Sequence, residues 1–378
     1  MLSLGQVLVK GCCLVHTANS EGERCLVPPR RTATIHDVAR AAGVAIGTVS
    51  KALSGQGKLR AETRQRVLVA AERLNYRPND LAHSLRRGRT FTVGLLTNDL
   101  HGRFSMPLLA GIEDALGDAQ ISVFLCNVGR NPSRERQHVE SLLAKRVDGL
   151  IVAGARTDAR PPVDLDHTGT PVLYAFARTT DPRALCLVPD NLHGGQLATA
   201  HLLAAGRRRV AHVTGPEDFE GVRARQAGME ATLAAHELDC PTERILHGSW
   251  TESWGREATL RLLEADPAID AIFCGSDLLA RGTVDALRER GRHVPDDVAV
   301  IGFDNWPIIA AAARPPLSSI DMRLETLGRL AGGYLLDLID GQDHSGILYQ
   351  PCQLVCRASC GGTNCTPHVE STEELVHW

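Results

Sequence analysis

Five neighbouring residues near the start of the chain include side chains with the chemistry to bind the edges of DNA bases. Ile46, Gly47, Thr48, Ser50 and Lys51 bring an apolar group, two hydroxyls and a cation together within six residues. In the major groove an apolar side chain can contact the thymine methyl group, a lysine can reach the acceptors of guanine, and a hydroxyl can bond to phosphate or to a base. These residues can act together only if one helix presents them on its outer face.

The surrounding pattern predicts the helices that would position them. Thr34, followed three residues later by Asp37, can cap a helix that ends at Gly43. A second helix is predicted from about residue 46 to residue 53, and a third from about residue 61 to residue 74. A turn at Gly43 would set the first two at an angle, as in a helix-turn-helix. The apolar residues that can face one another inside it are Val38, Ala39, Ala42, Val44, Val49 and Leu53.

The charge of the chain is unevenly distributed. Residues 30–90 hold thirteen Lys and Arg against four Asp and Glu, a formal charge of +9, so the rest of a chain whose net charge is −3 carries −12. Such asymmetry is typical of a small module that binds a polyanion and is attached to an acidic body. A solvated charged surface is the alternative explanation for some of these arginines.

Beyond residue 90, strands alternate with helices. Over about 270 residues this alternation predicts parallel sheets covered by helices, in two units, with ligands bound beyond the carboxyl ends of the strands. The apolar runs predicted as strands are residues 91–96, 121–126, 149–152, 172–175, 210–214, 271–274 and 298–303. The predicted helices are residues 108–116, 134–144, 194–205, 223–236, 256–263 and 278–290.

Residues 34–85 resemble the DNA-binding head of the lactose-repressor/galactose-repressor (LacI/GalR) family of bacterial transcription regulators. Beyond the helix-turn-helix, the resemblance rests on Thr63-Arg64, on residues 74–79 (Leu-Asn-Tyr-Arg-Pro-Asn) and on residues 82–85 (Ala-His-Ser-Leu). Ala45 and Arg60 depart from it, because the family usually has a capping serine at each of these positions. Since the loss of a cap typically costs about 1 kcal/mol, we expect a somewhat less stable head that still binds DNA.

The resemblance also implies a hinge and a set of DNA-binding residues. Residues 79–90 would be the hinge or linker, whose helix folds when two subunits bind the operator. Leu85 would wedge into the minor groove while Arg86 binds phosphate; the alternative is that Leu85 is an ordinary linker residue. The implied DNA-binding residues are Thr34, Ile46, Gly47, Thr48, Ser50, Lys51, Asn79, Ala82, Leu85 and Arg86.

The rest of the chain resembles the effector-binding core of the same family, which has the two-lobed α/β fold of type I periplasmic binding proteins. The expected fold is therefore an all-α N-terminal head joined to an α/β core. The expected divisions are an extension at 1–32, a head at 33–78, a core at 91–362 and a tail at 363–378. Within the core, the first lobe would span about 91–187 and the second about 188–320.

The resemblance places seven effector-binding residues in the cleft of that core. Arg225 can bond two hydroxyls or a carboxylate, and Asp304 can accept from sugar hydroxyls; each could instead be a structural ion-pair partner. Phe176 and Met322 stand where sugar-binding members frequently have Asp and Gln, so we expect a carbohydrate effector with fewer polar groups, or one that is turned differently. The implied residues are Phe104, Phe176, Arg225, Trp250, Ser276, Asp277 and Asp304.

The cysteine content and the hydropathy bear on location and on metal binding. Eleven scattered cysteines do not form the disulfide framework of a small secreted domain. No run approaches the roughly 18 apolar residues of a membrane span, so we expect a cytoplasmic protein with no membrane partner. Cys352, Cys356, Cys360 and Cys365 crowd the end of the chain, but a close pair with two intervening residues is absent. We therefore expect no metal and no cofactor.

Together these features predict a regulator of transcription, most simply a repressor. A homodimer, or a tetramer, would bind a near-palindromic operator, and a small molecule in the cleft would control that binding. The alternatives are a response to a corepressor and a solute-binding protein without a DNA role. An enzyme is not expected, because the sequence lacks Gly-rich phosphate loops, a Gly-x-Ser-x-Gly elbow and a His-Glu-x-x-His pair.

Overall fold

The chain divides into two compact units, Met1–Asp80 and Leu81–Trp378. In the computed structural model, no helix among the described residues is long and apolar enough to cross a membrane. The structure describes residues 33–53, 58–76, 89–99, 101–117, 119–165 and 168–361.

Helices α1 (Ile35–Ala42), α2 (Ile46–Leu53) and α3 (Ala61–Arg73) form the described part of the first unit. Val38 and Val49 are fully buried between them, together with small side chains from all three helices. Alanine at most of the remaining core positions lets short helices pack closely, which a three-helix head with so few apolar residues requires. The buried core of this unit is Val38, Ala39, Ala42, Val49, Ala52, Val67, Ala70 and Ala71.

The predicted start of α1 is confirmed. The Thr34 hydroxyl accepts from the Asp37 amide at 3.4 Å, and the Asp37 carboxylate accepts from the Thr34 amide at 3.0 Å, so each residue satisfies the other's backbone donor. Gly43 ends the helix with a left-handed φ of 64°, which a residue with a side chain rarely adopts. Arg60 precedes α3 without a side-chain cap, as the sequence predicts.

The second unit is built from strands and helices in alternation. The strands are β1 (Thr92–Thr97), β2 (Ser122–Asn127), β3 (Gly149–Ala153), β4 (Ala159–Arg160), β5 (Val172–Ala175), β6 (Arg178–Thr179), β7 (Leu185–Pro189), β8 (Val210–Thr214), β9 (Ile245–His247), β10 (Ala271–Cys274), β11 (Ala299–Phe303), β12 (Ser318–Asp321), β13 (Gly346–Gln350) and β14 (Gln353–Val355). The helices are α4 (Ser105–Gly117), α5 (Pro132–Ala144), α6 (Asn191–Ala204), α7 (Glu220–Ala235), α8 (Glu252–Ala265), α9 (Asp277–Glu289), α10 (Pro307–Ala310) and α11 (Leu324–Ile339).

These strands form two large sheets, one in each of two lobes. The sheet of the first lobe runs in the order β13-β7-β5-β3-β1-β2, with every described pair parallel. The sheet of the second lobe runs in the order β14-β12-β11-β10-β8-β9, and only the pair β12–β14 among its described strands is antiparallel. Parallel sheets are buried on both faces, which explains why most central strands are apolar throughout.

The chain passes between the lobes three times within residues 168–361. It crosses from β7 to α6, from β12 to α11 and from β13 to β14. Both lobes are therefore completed by the end of the chain, since β13 joins the first sheet and β14 the second. The carboxyl ends of the central strands of both sheets face a shared cleft, because residues that follow them meet across it: Arg103 with Asp304, and Thr157 with Glu220.

Glycines allow the covering helices to approach each other closely. A Cβ at Gly111 of α4 would overlap the Glu325 carbonyl of α11, and one at Gly328 of α11 would overlap the Leu108 carbonyl of α4. Gly195 and Gly228 make the same reciprocal contact between α6 and α7, and Gly255 and Gly282 make it between α8 and α9. Backbones packed at this distance leave little room for sliding, so the residues on these helices are held in fixed positions.

Candidate DNA-binding helix and effector cleft

The outer face of α2 presents the predicted base-reading residues. Ile46 is 42% exposed although it is a large apolar side chain, and Gly47 and Lys51 are also exposed, while Thr48 and Ser50 are half-buried. Val49 and Ala52 of the same helix are buried in the core. The helix is thus fixed by one face and offers the other to a partner.

The other predicted DNA-binding residues are not on the exposed face of α2. The Thr34 hydroxyl donates to the Asp37 carboxylate at 2.7 Å, so its contact with a phosphate would have to coexist with the cap of α1. Asn79, Ala82, Leu85 and Arg86 lie outside the described residues.

Most of the predicted effector-binding residues follow the carboxyl ends of strands, while Arg225 lies on α7. Phe176 follows β5 directly, Asp304 follows β11, and Ser276 and Asp277 come after β10. Trp250 follows β9 in the second lobe. This is the edge at which ligands bind in open α/β sheets.

A largely buried ion pair between Arg103 and Asp304 joins the two lobes. Arg103 lies in the loop between β1 and α4, and its side chain is 14% exposed, while that of Asp304 is 7% exposed. Burial lowers the pKa of the Arg103 guanidinium, against the opposing influence of Asp277 and Asp99. The sequence identified Asp304 but missed Arg103; the signal was its position directly before Phe104.

Aromatic rings surround this ion pair. The Arg103 guanidinium lies 5.0 Å from the centre of the Phe104 ring and 4.9 Å from that of the Trp306 ring. Phe104 in turn packs on Phe176, with ring centres 4.9 Å apart. Phe176 is almost fully buried against Phe104 and has a left-handed φ of 52°.

Arg225 lies on α7 and is buried beside the carboxyl ends of β10 and β11 in the second lobe. Its Nε donates to Asn191 Oδ1 at 2.9 Å, its Nη1 donates to the Gly275 carbonyl at 2.5 Å, and its guanidinium carbon lies 3.6 Å from the centre of the Phe303 ring. Burial lowers the pKa of Arg225 to about 10. Among the described residues no carboxylate forms an ion pair with it, so the buried cation has only neutral acceptors.

Ser276 and Asp277 shape the cleft indirectly, by fixing a helix and a loop next to it. The Ser276 hydroxyl caps α9 by accepting from the Leu279 amide. Asp277 is fully buried and accepts from the Ser319 hydroxyl and from the Trp306 amide, each at 2.6 Å. Burial raises the pKa of Asp277 to about 6. In this conformation Asp277 positions the loop that carries Asp304 and Trp306.

Two further acidic residues were not found from the sequence. Asp99 accepts from the amides of Phe104 and Ser105 at 2.7 and 2.9 Å, and so fixes the start of α4 and the loop bearing Arg103. Glu220 accepts from the Thr157 hydroxyl at 2.6 Å and makes a second polar contact between the lobes. The Glu220 contact joins residues 63 positions apart, which spacing along the chain does not reveal. The Asp99 contacts are local, five and six residues along the chain, but no motif in the sequence marks them.

Both parts of the chain match models of known protein families. Residues 34–79 match the family described as bacterial regulatory proteins, lacI family, and residues 90–358 match periplasmic binding proteins and the sugar binding domain of the LacI family. The chain therefore belongs to the LacI family. The expected fold class, a helix-turn-helix head and a type I periplasmic-binding core, is confirmed.

Curated relatives of this LacI-family chain are transcription regulators. It is 34% identical to the HTH-type transcriptional regulator CelR of Thermobifida fusca over 83% of this chain and 94% of the relative. It is 30% identical to the ribose operon repressor of Halalkalibacterium halodurans over 88% of this chain and 98% of that protein. The LacI-family chain is thus a DNA-binding regulator of transcription with a ligand-binding core.

Solved structures agree with this assignment. A lac repressor dimer bound to operator and the anti-inducer ONPF matches with a TM-score of 0.71 and 28% identity, over 87% of this chain and 99% of that chain. A complex of the regulator CelR with cellobiose matches with a TM-score of 0.62 and 30% identity, over 86% and 99% respectively.

Proposed function

We propose that this LacI-family regulator is a repressor whose affinity for its operator is controlled by a sugar or sugar derivative bound between the two lobes. The observation that carries the proposal is the buried ion pair between Arg103 and Asp304, which joins the lobes beyond the carboxyl ends of their strands. A ligand at this place has to offer acceptors to Arg103 and donors to Asp304. A molecule with several hydroxyl groups offers both.

The apolar surroundings narrow the class of effector. Phe104 and Trp306 give the cleft flat faces with few hydrogen-bonding partners, and the buried Phe176 supports the Phe104 ring. Binding pockets of this composition fix the orientation of a ligand by a small number of polar groups and bind the rest by apolar contact. We infer an effector with one hydroxylated edge and one apolar face, such as a glycoside or a less hydroxylated sugar.

The relatives support a saccharide. The regulator CelR, similar to this chain over most of its length, has been solved as a complex with cellobiose. Another relative is named as the repressor of a ribose operon.

The ion pair also supplies a way to couple the cleft to DNA. An effector that takes over the partners of Arg103 and Asp304 replaces a direct contact between the lobes, so it changes the relative free energies of their arrangements. Its effect on operator affinity is a coupling free energy. By thermodynamic linkage, operator DNA changes the affinity for the effector by the same factor. A corepressor would bind through the same contacts but would raise the affinity for the operator instead of lowering it.

The head is proposed to bind DNA through the exposed face of α2. Ile46, Gly47, Thr48, Ser50 and Lys51 would contact base edges in the major groove, with Thr34 near the backbone. The resemblance adds Asn79, Ala82, Leu85 and Arg86 as hinge contacts, with Leu85 in the minor groove and Arg86 on phosphate. The charge of +9 on residues 30–90 favours the approach to phosphate.

The effector assignment can be tested by thermal-shift screening of mono- and disaccharides and their derivatives. A ligand at 100 times its dissociation constant should stabilise the protein by about 2.7 kcal/mol. Asp304→Asn should weaken binding of that ligand about 30-fold. The carboxylate that accepts from the ligand's hydroxyls loses its charge, which costs about 2 kcal/mol of binding free energy. Asp343→Asn, at an exposed aspartate outside the cleft, is the control. Unchanged binding by Asp304→Asn would contradict the site, and strong stabilisation by an unmodified hexose would contradict the apolar face.

The DNA-reading assignment can be tested by selecting bound sequences from a random DNA pool. The selected site should be nearly palindromic, and Lys51→Ala should relax the preference at one base pair in each half-site by about 1–3 kcal/mol. Lys58→Ala, which lies outside α2, should leave the base preferences unchanged. If Lys51→Ala retains full discrimination, Lys51 does not read a base.

We propose that the protein is a homodimer whose interface lies at the edge of the first sheet. β2 is an edge strand, and Phe124 and Leu125 on it are each 42% exposed although both are apolar. Met106 on α4 is exposed in the same lobe. Exposed apolar side chains on an unpaired edge favour pairing with another chain, and a second copy would provide the two heads that a near-palindromic operator needs.

Phe124→Glu should convert this dimer to monomers, because it places a charge in an apolar interface. Sedimentation velocity should show the change, and operator affinity should fall at least tenfold, or about 1.4 kcal/mol. Ile347→Glu, at an equally exposed position on the opposite edge strand β13, is the matched control. A Phe124→Glu protein that remains dimeric would place the interface elsewhere.

A further inference from the structure

A cluster of one histidine and two cysteines lies at the edge of the second lobe, where α6 meets the segment after β14. His201 is on α6, Cys356 directly follows β14, and Cys360 lies four residues further on. Their ligand atoms all lie within 4.8 Å of one another. His201 Nε2 is 3.2 Å from Cys360 Sγ and 4.0 Å from Cys356 Sγ.

These distances suit a tetrahedral zinc ion. Zinc binds nitrogen at about 2.0–2.1 Å and sulfur at about 2.3 Å, so a nitrogen and a sulfur on one tetrahedral ion lie about 3.5 Å apart. The two distances from His201 Nε2 fall on either side of that value. Small rotations of the side chains would therefore bring all three atoms to an ion.

A hydroxyl group supports one of the sulfurs. The Arg357 amide donates to Ser318 Oγ at 2.8 Å, and the Ser318 hydroxyl donates to Cys360 Sγ at 3.0 Å. The hydroxyl oxygen thus accepts from the backbone while its single proton is directed to the sulfur. Hydrogen bonds of this kind orient a metal ligand and stabilise its thiolate form.

An ion could reach the cluster from solvent, because only one of the three residues is fully buried. Cys360 is fully buried, while His201 and Cys356 are half-buried and reach solvent. Sites with three protein ligands keep their fourth position for water or another small ligand. Thiolate and imidazole ligands together favour zinc over the harder cations magnesium and calcium.

Against the expectation from the sequence, which predicted no metal, we propose that His201, Cys356 and Cys360 bind one zinc ion, with water as the fourth ligand. Binding displaces the protons of both thiols and involves no transfer of electrons. The ion ties α6 to the last described segment of the chain and so stabilises the second lobe. The site is separate from the effector cleft, and its failure would leave the proposed regulation untouched.

The test is a zinc titration of the untagged, reduced full chain after its metal has been removed with a chelator. We expect one equivalent of zinc to bind, the melting temperature to rise, and cobalt at the same site to give a thiolate charge-transfer band in the near ultraviolet. His201→Ala and Cys356→Ser should each lose the equivalent and the band. Ser318→Ala should keep all three ligands and bind zinc about 10–100-fold more weakly.

Cys240→Ser is the matched control, because Cys240 is also half-buried in the second lobe but lies outside the cluster. It should bind zinc as the wild type does. His201→Ala removes a half-buried ligand, so its result does not depend on whether changes at the fully buried Cys360 are tolerated. Wild-type protein that takes up no stoichiometric zinc, or His201→Ala protein that binds as tightly as wild type, would overturn the proposal.

Discussion

The ion pair between Arg103 and Asp304 is the interaction on which the arrangement of the cleft depends. Two charges taken out of water are tolerated only while each remains paired, and removing one partner leaves the other buried and costly. Their partners come from different lobes, so the separation of the lobes and the pairing of the charges cannot change independently. Any molecule that enters the cleft has to satisfy both groups. Under the proposed function, this requirement would link the chemistry of the ligand to the relative position of the lobes.

Much of the surrounding structure holds these two side chains in place. Asp99 fixes the loop of Arg103 through the amides of Phe104 and Ser105, and Asp277 fixes the loop of Asp304 through the amide of Trp306. Neither carboxylate needs to touch a ligand to affect its binding. Pre-organised loops of this kind reduce the conformational entropy that a ligand must overcome.

The head was largely predictable because its signals are local. The capping box of Thr34 and Asp37, the stop at Gly43 and the helical spacing of the apolar residues are read within a few positions of one another. The positions of Phe176 and Asp304 at strand ends were also predictable, since each follows an apolar run. Other elements were missed: β9, β12 and β14 have only three or four residues each, and α11 carries several glycines that weaken its helical signal. β7 and β13 were missed although each has five residues. Pairs that meet only in the fold were missed for a different reason, because Arg103 and Asp304 are 201 residues apart and His201 and Cys360 are 159 apart.

The most direct test of the account is the coupling between effector and operator. Operator affinity is measured with and without a saturating effector, and effector affinity with and without operator DNA, in the wild type and in Arg103→Met. The account predicts that the two ratios are equal in the wild type, of the order of 5–150-fold, and that both fall towards one in Arg103→Met. An Arg103→Met protein that binds the effector and keeps the full coupling would contradict it.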